Sequence, residues 1–272
     1  MAEQQTNDIE LGAPSELERA ARGASLLVGL PAAPPADPDL HRVLAAIPKR
    51  FGVSAASPIF QALAHWPHFL VAAWDAYEPL IDTPRYREAI ALVSAPTVAV
   101  AAGATAASPE RVREYLDLQQ SMLPELLLLA TAWYGAARGL GPVDAPAATT
   151  VSERALRTTA LAPGAASPEL DWALGAIAAA HGHPRVLSIY RVIGGDPRFL
   201  IGATPALLDA IASPEYAVAK KDLLDAVAAA AHVLDMPAVV STEEGPLEIL
   251  ALFRNTMIPP LVLDTAILAR ML

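Results

Sequence analysis

The sequence predicts an all-α protein in which two tandem helical repeats pack together as an intramolecular pseudo-dimer. Two observations predict the helical class. The chain is rich in Ala and Leu, which are strong helix formers, and it contains no run of alternating β-branched residues bounded by hairpin turns. A third observation, an internal repeat, predicts the pseudo-dimer. With 272 residues and a hydrophobic fraction of 54%, the chain has ample apolar material for a core.

The start of each predicted helix carries a recurring local signal. A Ser, Thr or Asp that can cap a helix is followed by Pro, which is well tolerated in the first helical turn. In the first half, the segments that begin this way are 37–52, 57–81, 83–95 and 108–133. We expect breaks near Pro58 and Pro67, and a kink or a division at Pro124.

Composition divides the chain into four parts. A Pro-rich stretch at 29–38 ends a separable N-terminal segment, and a stretch rich in Gly, Pro, Ala and Thr lies in the middle. The predicted parts are a flexible or surface-hugging arm at 1–36, a repeat at 37–138, a linker at 139–166 and a second repeat at 167–272. Within the linker, "SERALRT" is a candidate for a short helix.

The two repeats match at a constant offset of 130 residues. Pro, Gly and aromatic residues agree without a gap at positions where chance agreement would be rare. The matched pairs include Pro38 and Pro168, Gly52 and Gly182, Pro67 and Pro197, Phe69 and Phe199, and Tyr86 and Tyr216. At an offset of 135, Met122 and Pro124 match Met257 and Pro259. A cleft between two packed repeats is then the expected place for a ligand.

Charge and composition exclude several classes of function. The net charge is −10 without any Lys/Arg-rich run, so neither nucleic acid nor a membrane is an expected partner. The chain has no Cys, which removes disulfides and thiolate chemistry. No stretch reads as a membrane span or a secretory signal, so we expect a cytoplasmic protein. A small-molecule ligand is the expected partner, and the apolar composition makes a homodimer plausible.

Polar side chains at matched helix positions are the first candidates for a binding site. Gln119 and Gln120 interrupt an apolar helix face, and Arg254 and Asn255 occupy the same place in the second half. Amides and a guanidinium could hold a carboxylate or an amide-like ligand; the alternative is a solvated helix end. The "HGH" at 181–183 is interpreted as a loop-lining pair of His residues, so no metal and no cofactor is predicted.

The sequence resembles the group I 2-haloacid dehalogenases over residues 37–272. The resemblance rests on the duplication, on "FQALAHWP" with the downstream Trp74 and "TPRY", and on "LPELLLLATA". It implies an all-α pseudo-dimer with repeats of about 130 residues and an active site between them. It also implies that an Asp of the second repeat activates a water, which displaces the halogen directly and inverts the carbon.

At the positions that carry this chemistry in the family, the sequence departs from the pattern. Eight residues before the signature Pro, where the family has its Asp, this chain has Ile189, and the first repeat has Ile59. The substrate-binding Ser of the family is matched by Ser188. Its amide-bearing helix residue falls near Gln120, and a Tyr of the last helices falls near Phe253.

Three functions remain open at this point. The leading hypothesis is a diverged enzyme that acts on a small organic acid or hydrophobic metabolite, in a pocket lined by Ser188, Tyr190, Gln120 and Asn255. The second is a ligand-binding or scaffold protein that has lost the base. The third is a true dehalogenase with a relocated carboxylate base, for which Asp196 and Asp75 are the candidates. His65 is a further catalytic candidate, and its alternative is a core or cap histidine.

Overall fold

The computed structural model describes residues 15–94, 96–99, 106–141, 154–157, 161–183 and 185–272. This part of the chain is helical and contains no β-strand, which confirms the predicted fold class. The helices are α1 (Glu16–Gly29), α2 (Pro38–Phe51), α3 (Pro58–Leu63), α4 (Pro67–Tyr77), α5 (Pro84–Leu92), α6 (Pro109–Ala137), α7 (Pro168–Ala180), α8 (Ser188–Ile193), α9 (Pro197–Ile211), α10 (Pro214–Leu234), α11 (Glu244–Leu252) and α12 (Ile258–Met271).

The predicted helix starts are borne out by the backbone. Eight helices begin with Pro in the first turn, directly after the residue that caps them. In five of them, the side chain of that cap residue accepts a hydrogen bond from the backbone N–H three residues further on. These caps are Asp37, Thr83, Ser167, Asp196 and Ser213. Each satisfies an N–H that the helix itself leaves without a partner.

Helix starts in the two halves fall at the spacing that the repeat predicts. Helices α2, α3, α4 and α5 begin 130 positions before α7, α8, α9 and α10 respectively. Gly52 and Gly182, which match at this offset, both lie in the left-handed backbone region, with φ of 66° and 65°. A residue without Cβ adopts this conformation at little cost, which suits the end of a helix. An approximate twofold axis between the halves stays a prediction.

Pro124 does not divide its helix, because α6 runs without interruption from Pro109 to Ala137. At the corresponding place in the second half, a π-helical turn at Phe253–Met257 separates α11 from α12. Helix α12 packs against α6, and α10 packs against both α5 and α6. The "LPELLLLATA" stretch therefore lies in the core, as predicted, with Leu127, Leu128 and Leu129 fully buried.

Residues 16–29, within the predicted flexible or surface-hugging arm, form α1, which packs along α11. The close approach requires a small residue at Gly23, where a Cβ atom would lie 2.1 Å from the carbonyl oxygen of Glu248. Residues 1–14 and much of the linker lie outside the described residues. Within the linker, 154–157 are not helical, so the short helix predicted there is absent from this part.

One helical stretch, Glu244–Met271, is long and apolar enough by length and composition to cross a membrane. The sequence analysis expects no stretch to qualify as a membrane span, so this helix is an exception by length and composition. In the fold, 78% of its most apolar window is buried against other helices. That burial is typical of the core helix of a folded domain.

Candidate functional site

A cavity of about 1240 Å³ lies where the two short helices α3 and α8 approach α6. Its walls come from both predicted repeats, and the Pro-rich segment after α1 contributes to its mouth. The buried part of the wall is apolar, with Ile47, Phe60, Leu123, Leu126 and Ile258 among its members. The cavity is large enough to enclose a ligand of drug size or larger.

The charges that line this cavity are all positive. Arg157, Arg185 and Arg191 belong to the lining, whereas none of the described lining residues is Asp or Glu. This is unexpected in a chain whose net charge is −10. A cleft with charges of one sign concentrates ligands of the opposite sign. The cavity therefore favours anions.

Arg157 is held in place by neutral partners. Its Nη1 donates to Ser121 Oγ at 2.6 Å, and its Nη2 donates to the carbonyl oxygen of Phe51 at 3.2 Å. Its backbone N–H donates to the carbonyl oxygen of Gly52 at 2.8 Å. Among the described residues, no carboxylate lies within salt-bridge distance of this guanidinium. These bonds orient the guanidinium, and within the described residues none of them neutralises its charge.

Two buried polar side chains of α6 also line the cavity. Gln119 is 5% exposed, and its Oε1 has no hydrogen-bond partner in the described part of the chain. Tyr115 is 7% exposed, and burial raises the pKa of its phenol, which keeps the hydroxyl protonated at neutral pH. An unpaired buried polar atom is costly, so a ligand that pairs with Gln119 would recover free energy.

Five of the residues predicted from sequence line this cavity, namely Ser188, Ile189, Gln119, Phe253 and His65. Ser188 is exposed at the start of α8, and Ile189 follows it with 9% of its surface exposed. His65 lies in the turn between α3 and α4, and its ring packs edge-on against the Trp66 ring. The structure therefore brings together residues that are far apart in the sequence.

Other predicted residues do not line the main cavity. Gln120 points toward α12, where its Nε2 donates to the carbonyl oxygen of Thr265 at 3.3 Å, and it lines a smaller cavity. Asn255 is half-buried outside the lining, and its buried Nδ2 has no hydrogen-bond partner within the described residues. The Tyr190 hydroxyl faces away from the lining and donates to Asp264. Gln119, rather than Gln120, is therefore the glutamine of α6 whose side chain lines the main cavity.

Arg254 has a structural role at the contact between α1 and the π turn. Its Nη1 donates to Glu16 Oε2 at 2.7 Å, and its guanidinium stacks over the Tyr134 ring at 5.1 Å. The charge is neutralised by Glu16, so Arg254 is not placed to bind a ligand carboxylate in the cavity. Gln119 and Arg254 are matched positions of the two halves, but only Gln119 lines the cavity.

The two carboxylates predicted as candidate bases, Asp196 and Asp75, have structural partners outside the cavity. Asp196 caps α9, where its Oδ1 accepts from Phe199 N at 3.1 Å and its Oδ2 accepts from Ser108 N at 2.6 Å. Asp75 pairs with Arg42 at 3.0 Å. Neither lines the cavity. The structure therefore places neither carboxylate where it could activate a water for a ligand in that space.

A buried polar cluster that sequence reasoning missed surrounds Asp264 on α12. This carboxylate is fully buried and accepts from Tyr190 OH at 2.7 Å and Tyr216 OH at 2.6 Å. His181 Nε2 lies 2.8 Å from Asp264 Oδ2, the oxygen that also accepts from Tyr190. His181 thus ends α7 and also contacts the buried carboxylate of α12.

A second buried carboxylate, Glu125 on α6, has the same kind of environment in the first half. Tyr86 OH donates to it at 2.8 Å, and Arg154 Nη1 reaches both of its oxygens at 2.7 and 2.8 Å. Tyr86 and Tyr216 are matched positions of the repeat, and each donates to the buried acid of its own half. A lone acidic residue inside an apolar helix was the available signal, because a buried charge must be paired.

His183, the second member of the "HGH" stretch, is expected to make stability depend on pH. Burial lowers the pKa of His183 from its ordinary value of 6.5, and the nearby charges of His181 and Lys220 lower it further. The hydrogen bond to the Thr256 carbonyl and the charge of Asp264 oppose this shift only in part. The unfolded chain then binds this proton more readily than the folded chain below pH 6.5. Unfolding free energy should fall as the pH drops from 7 to 5, by at most about 1.4 kcal/mol per pH unit.

Urea unfolding at several pH values measures this dependence. The variant His183→Gln should show a shallower decline than the unmodified protein, whereas His68→Gln, at an exposed histidine of α4, should not. Equal slopes for His183→Gln and the unmodified chain would contradict the assignment.

Within the described residues, no group of three or more potential metal ligands occurs.

The chain resembles haloacid dehalogenases in both fold and sequence. The structure of a D-2-haloacid dehalogenase mutant covers 87% of this chain and 92% of its own, with a TM-score of 0.68 at 20% identity. Two complexes, an enzyme with L-LA and a mutant with D-2-CPA, each give a TM-score of 0.67 at 20% identity. Both cover 87% of this chain, and 93% and 92% of their own chains respectively. No protein-family model matches this chain.

These comparisons show that the chain has the all-helical fold of the D-2-haloacid dehalogenases. At the level of sequence, the (R)-2-haloacid dehalogenase of Pseudomonas putida is 32% identical in an alignment 108 residues long. The alignment covers 34% of this chain and 36% of that relative. The match thus spans about a third of the curated relative. Together, sequence and fold support the predicted resemblance to the group I 2-haloacid dehalogenases.

Proposed function

We propose that this protein binds an organic acid in the cavity between α3, α6 and α8. The observation that carries the proposal is the lining, which combines three arginines with an apolar wall and, among the described residues, no carboxylate. A carboxylate ligand would supply the missing negative charge. The orientation of Arg157 by Ser121 and Phe51 prepares one of these cations for a charge-assisted hydrogen bond.

The same lining argues that the family reaction is impaired in this chain. By the resemblance, Ile189 stands where the dehalogenases carry the Asp that takes a proton from water. An apolar side chain cannot accept that proton, and water without a general base is a weak nucleophile. The leading proposal is therefore a diverged member of this fold that binds its organic acid without hydrolysing a carbon–halogen bond.

A second candidate is an enzyme in which His65 acts as the base. Among the described lining residues, His65 carries the one imidazole, a side chain that often serves as a general base. The arginines stay protonated, and burial raises the pKa of Tyr115 and keeps its phenol protonated. Chloride release by the unmodified protein separates the candidates, because a binding protein leaves the carbon–halogen bond intact.

Replacing Arg157 with Gln should weaken the binding of 2-chloropropionate by about 10- to 100-fold, the range expected for loss of a charge-assisted hydrogen bond. A ligand-observed NMR titration of the full chain measures this change. The matched control is Arg198→Gln, an exposed arginine of α9 outside the cavity, which should bind as the unmodified protein does. Equal affinity of Arg157→Gln and the unmodified chain would contradict the proposed site.

A further inference from the structure

The size of the cavity carries information about its ligand that the arginines alone do not. Its volume of about 1240 Å³ exceeds the range of about 300–1,000 Å³ that is typical for sites of drug-sized ligands. A three-carbon haloacid would fill a small part of this space. Water would occupy the rest, against side chains such as Leu123 and Leu126 that form no hydrogen bonds.

The arginines of the lining are more exposed than the apolar residues that form its buried wall. Arg185 and Arg191 are exposed, which places their guanidinium groups at the solvent end of the cavity, and Arg157 is half-buried. The apolar residues Ile47 and Phe60 are buried, with 0% and 1% of their surface exposed. A ligand complementary to this arrangement has one charged end near water and a hydrocarbon body inside.

The interior wall is apolar but contains one feature that would fix a ligand. Gln119 presents its unpaired amide oxygen among apolar residues of α6. A hydrocarbon ligand would displace water from the surrounding wall, which is favourable in proportion to the apolar area that is covered. A hydroxyl or other donor on its body could pair with Gln119, but the main contribution would be apolar.

We propose that the natural ligand of this cavity is an amphipathic monocarboxylate, with a hydrocarbon body of about eight or more carbons in the apolar interior and its carboxylate at the arginines. This inference rests on the proposed function and names the class of acid. It predicts that affinity is governed by chain length, which a site adapted to short haloacids would not show. No covalent step is part of the proposal.

Titration calorimetry of the full chain with straight-chain carboxylates from propionate to decanoate tests the inference. The association constant should rise about fourfold for each added methylene, the gain expected when one such group is buried, until the hydrocarbon fills the cavity. Octanoate should also bind at least about tenfold more tightly than 1-octanol, since the alcohol lacks the charge that the arginines pair with. Binding should become more exothermic with rising temperature, as apolar burial requires.

The outcomes separate this inference from the proposed function. Binding that is equally weak for propionate and decanoate would overturn the amphipathic ligand and leave organic-acid binding in place. No binding of any carboxylate would overturn both. Octanol binding as tightly as octanoate would overturn the role of the carboxylate.

A variant that narrows the cavity gives a second, independent measurement. Val192, a half-buried lining residue of α8, can be replaced by Phe to occupy part of the interior. Val192→Phe should lower octanoate affinity at least about tenfold while leaving propionate affinity within about twofold. Parallel loss for both acids, or no loss for octanoate, would contradict the proposal. If the variant does not fold, the chain-length series on the unmodified protein decides.

Discussion

Chloride release from 2-chloropropionate is expected to rise at least about tenfold when Ile189 is replaced by Asp, because a positioned general base contributes roughly 10²–10⁴ to such a rate. Ile189 lines the cavity at the position that the family resemblance assigns to the base. In this variant, water would form a bond to the halogen-bearing carbon as the carbon–chlorine bond breaks. The Asp carboxylate would take the proton of the attacking water, and chloride would leave as the anion.

The matched control is Ile189→Asn, which has nearly the size and polarity of the Asp variant but cannot act as a base near neutrality. Ion chromatography of chloride, with the unmodified chain measured in parallel, gives all three rates. Chloride release that rises equally in both variants would show that polarity, rather than a base, is responsible. No rise in Ile189→Asp, with the organic acid still bound, would contradict the assignment of Ile189 to the base position.

Replacing Asp264 with Ala is expected to lower the free energy of unfolding by about 3–5 kcal/mol, because three buried polar groups lose their shared acceptor at a cost of about 1–3 kcal/mol each. The substitution would leave the hydroxyls of Tyr190 and Tyr216 and the His181 ring buried without their acceptor. Each orphaned group costs free energy because it has given up its bonds to water. Equilibrium unfolding in guanidinium chloride, followed by far-UV circular dichroism, measures the loss.

Asp225→Ala is the matched control for this experiment. Asp225 pairs with Lys221 on the exposed face of α10, where a surface ion pair contributes at most about 1 kcal/mol. The control should therefore unfold close to the unmodified chain. A loss below about 1 kcal/mol for Asp264→Ala would show that the three contacts around the carboxylate contribute little to folding.

The helical framework was accessible from sequence because its signals are local. A capping side chain followed by Pro fixes the start of a helix through a few neighbouring backbone groups, as at Asp37 and Ser167. The spacing of 130 residues between helix starts was equally visible, since it needs only a comparison of the chain with itself. The core helix that contains Leu127 follows from its unbroken apolar run.

The candidate site was accessible only in part, because side-chain direction depends on packing between distant elements. Gln119 and Gln120 are neighbours in sequence, yet one faces the cavity and the other faces α12. Arg254 was expected to hold a ligand, but α1 supplies Glu16 to neutralise it. Arg157 lies in a stretch of the linker without periodicity, so nothing local indicated that it reaches the cavity.

The packing of α1 on α11 also bears on how the chain folds as it is synthesised. Arg254 and Glu16, which join these regions, are separated by 238 positions. At a translation rate of about 5–20 residues per second, α1 leaves the ribosome roughly 10–50 s before its partner helix exists. During that interval its apolar face has no native surface to cover it, and the nascent chain is open to chaperones and to aggregation. Although α1 is made early, it is thus among the last of the described helices to reach its native contacts.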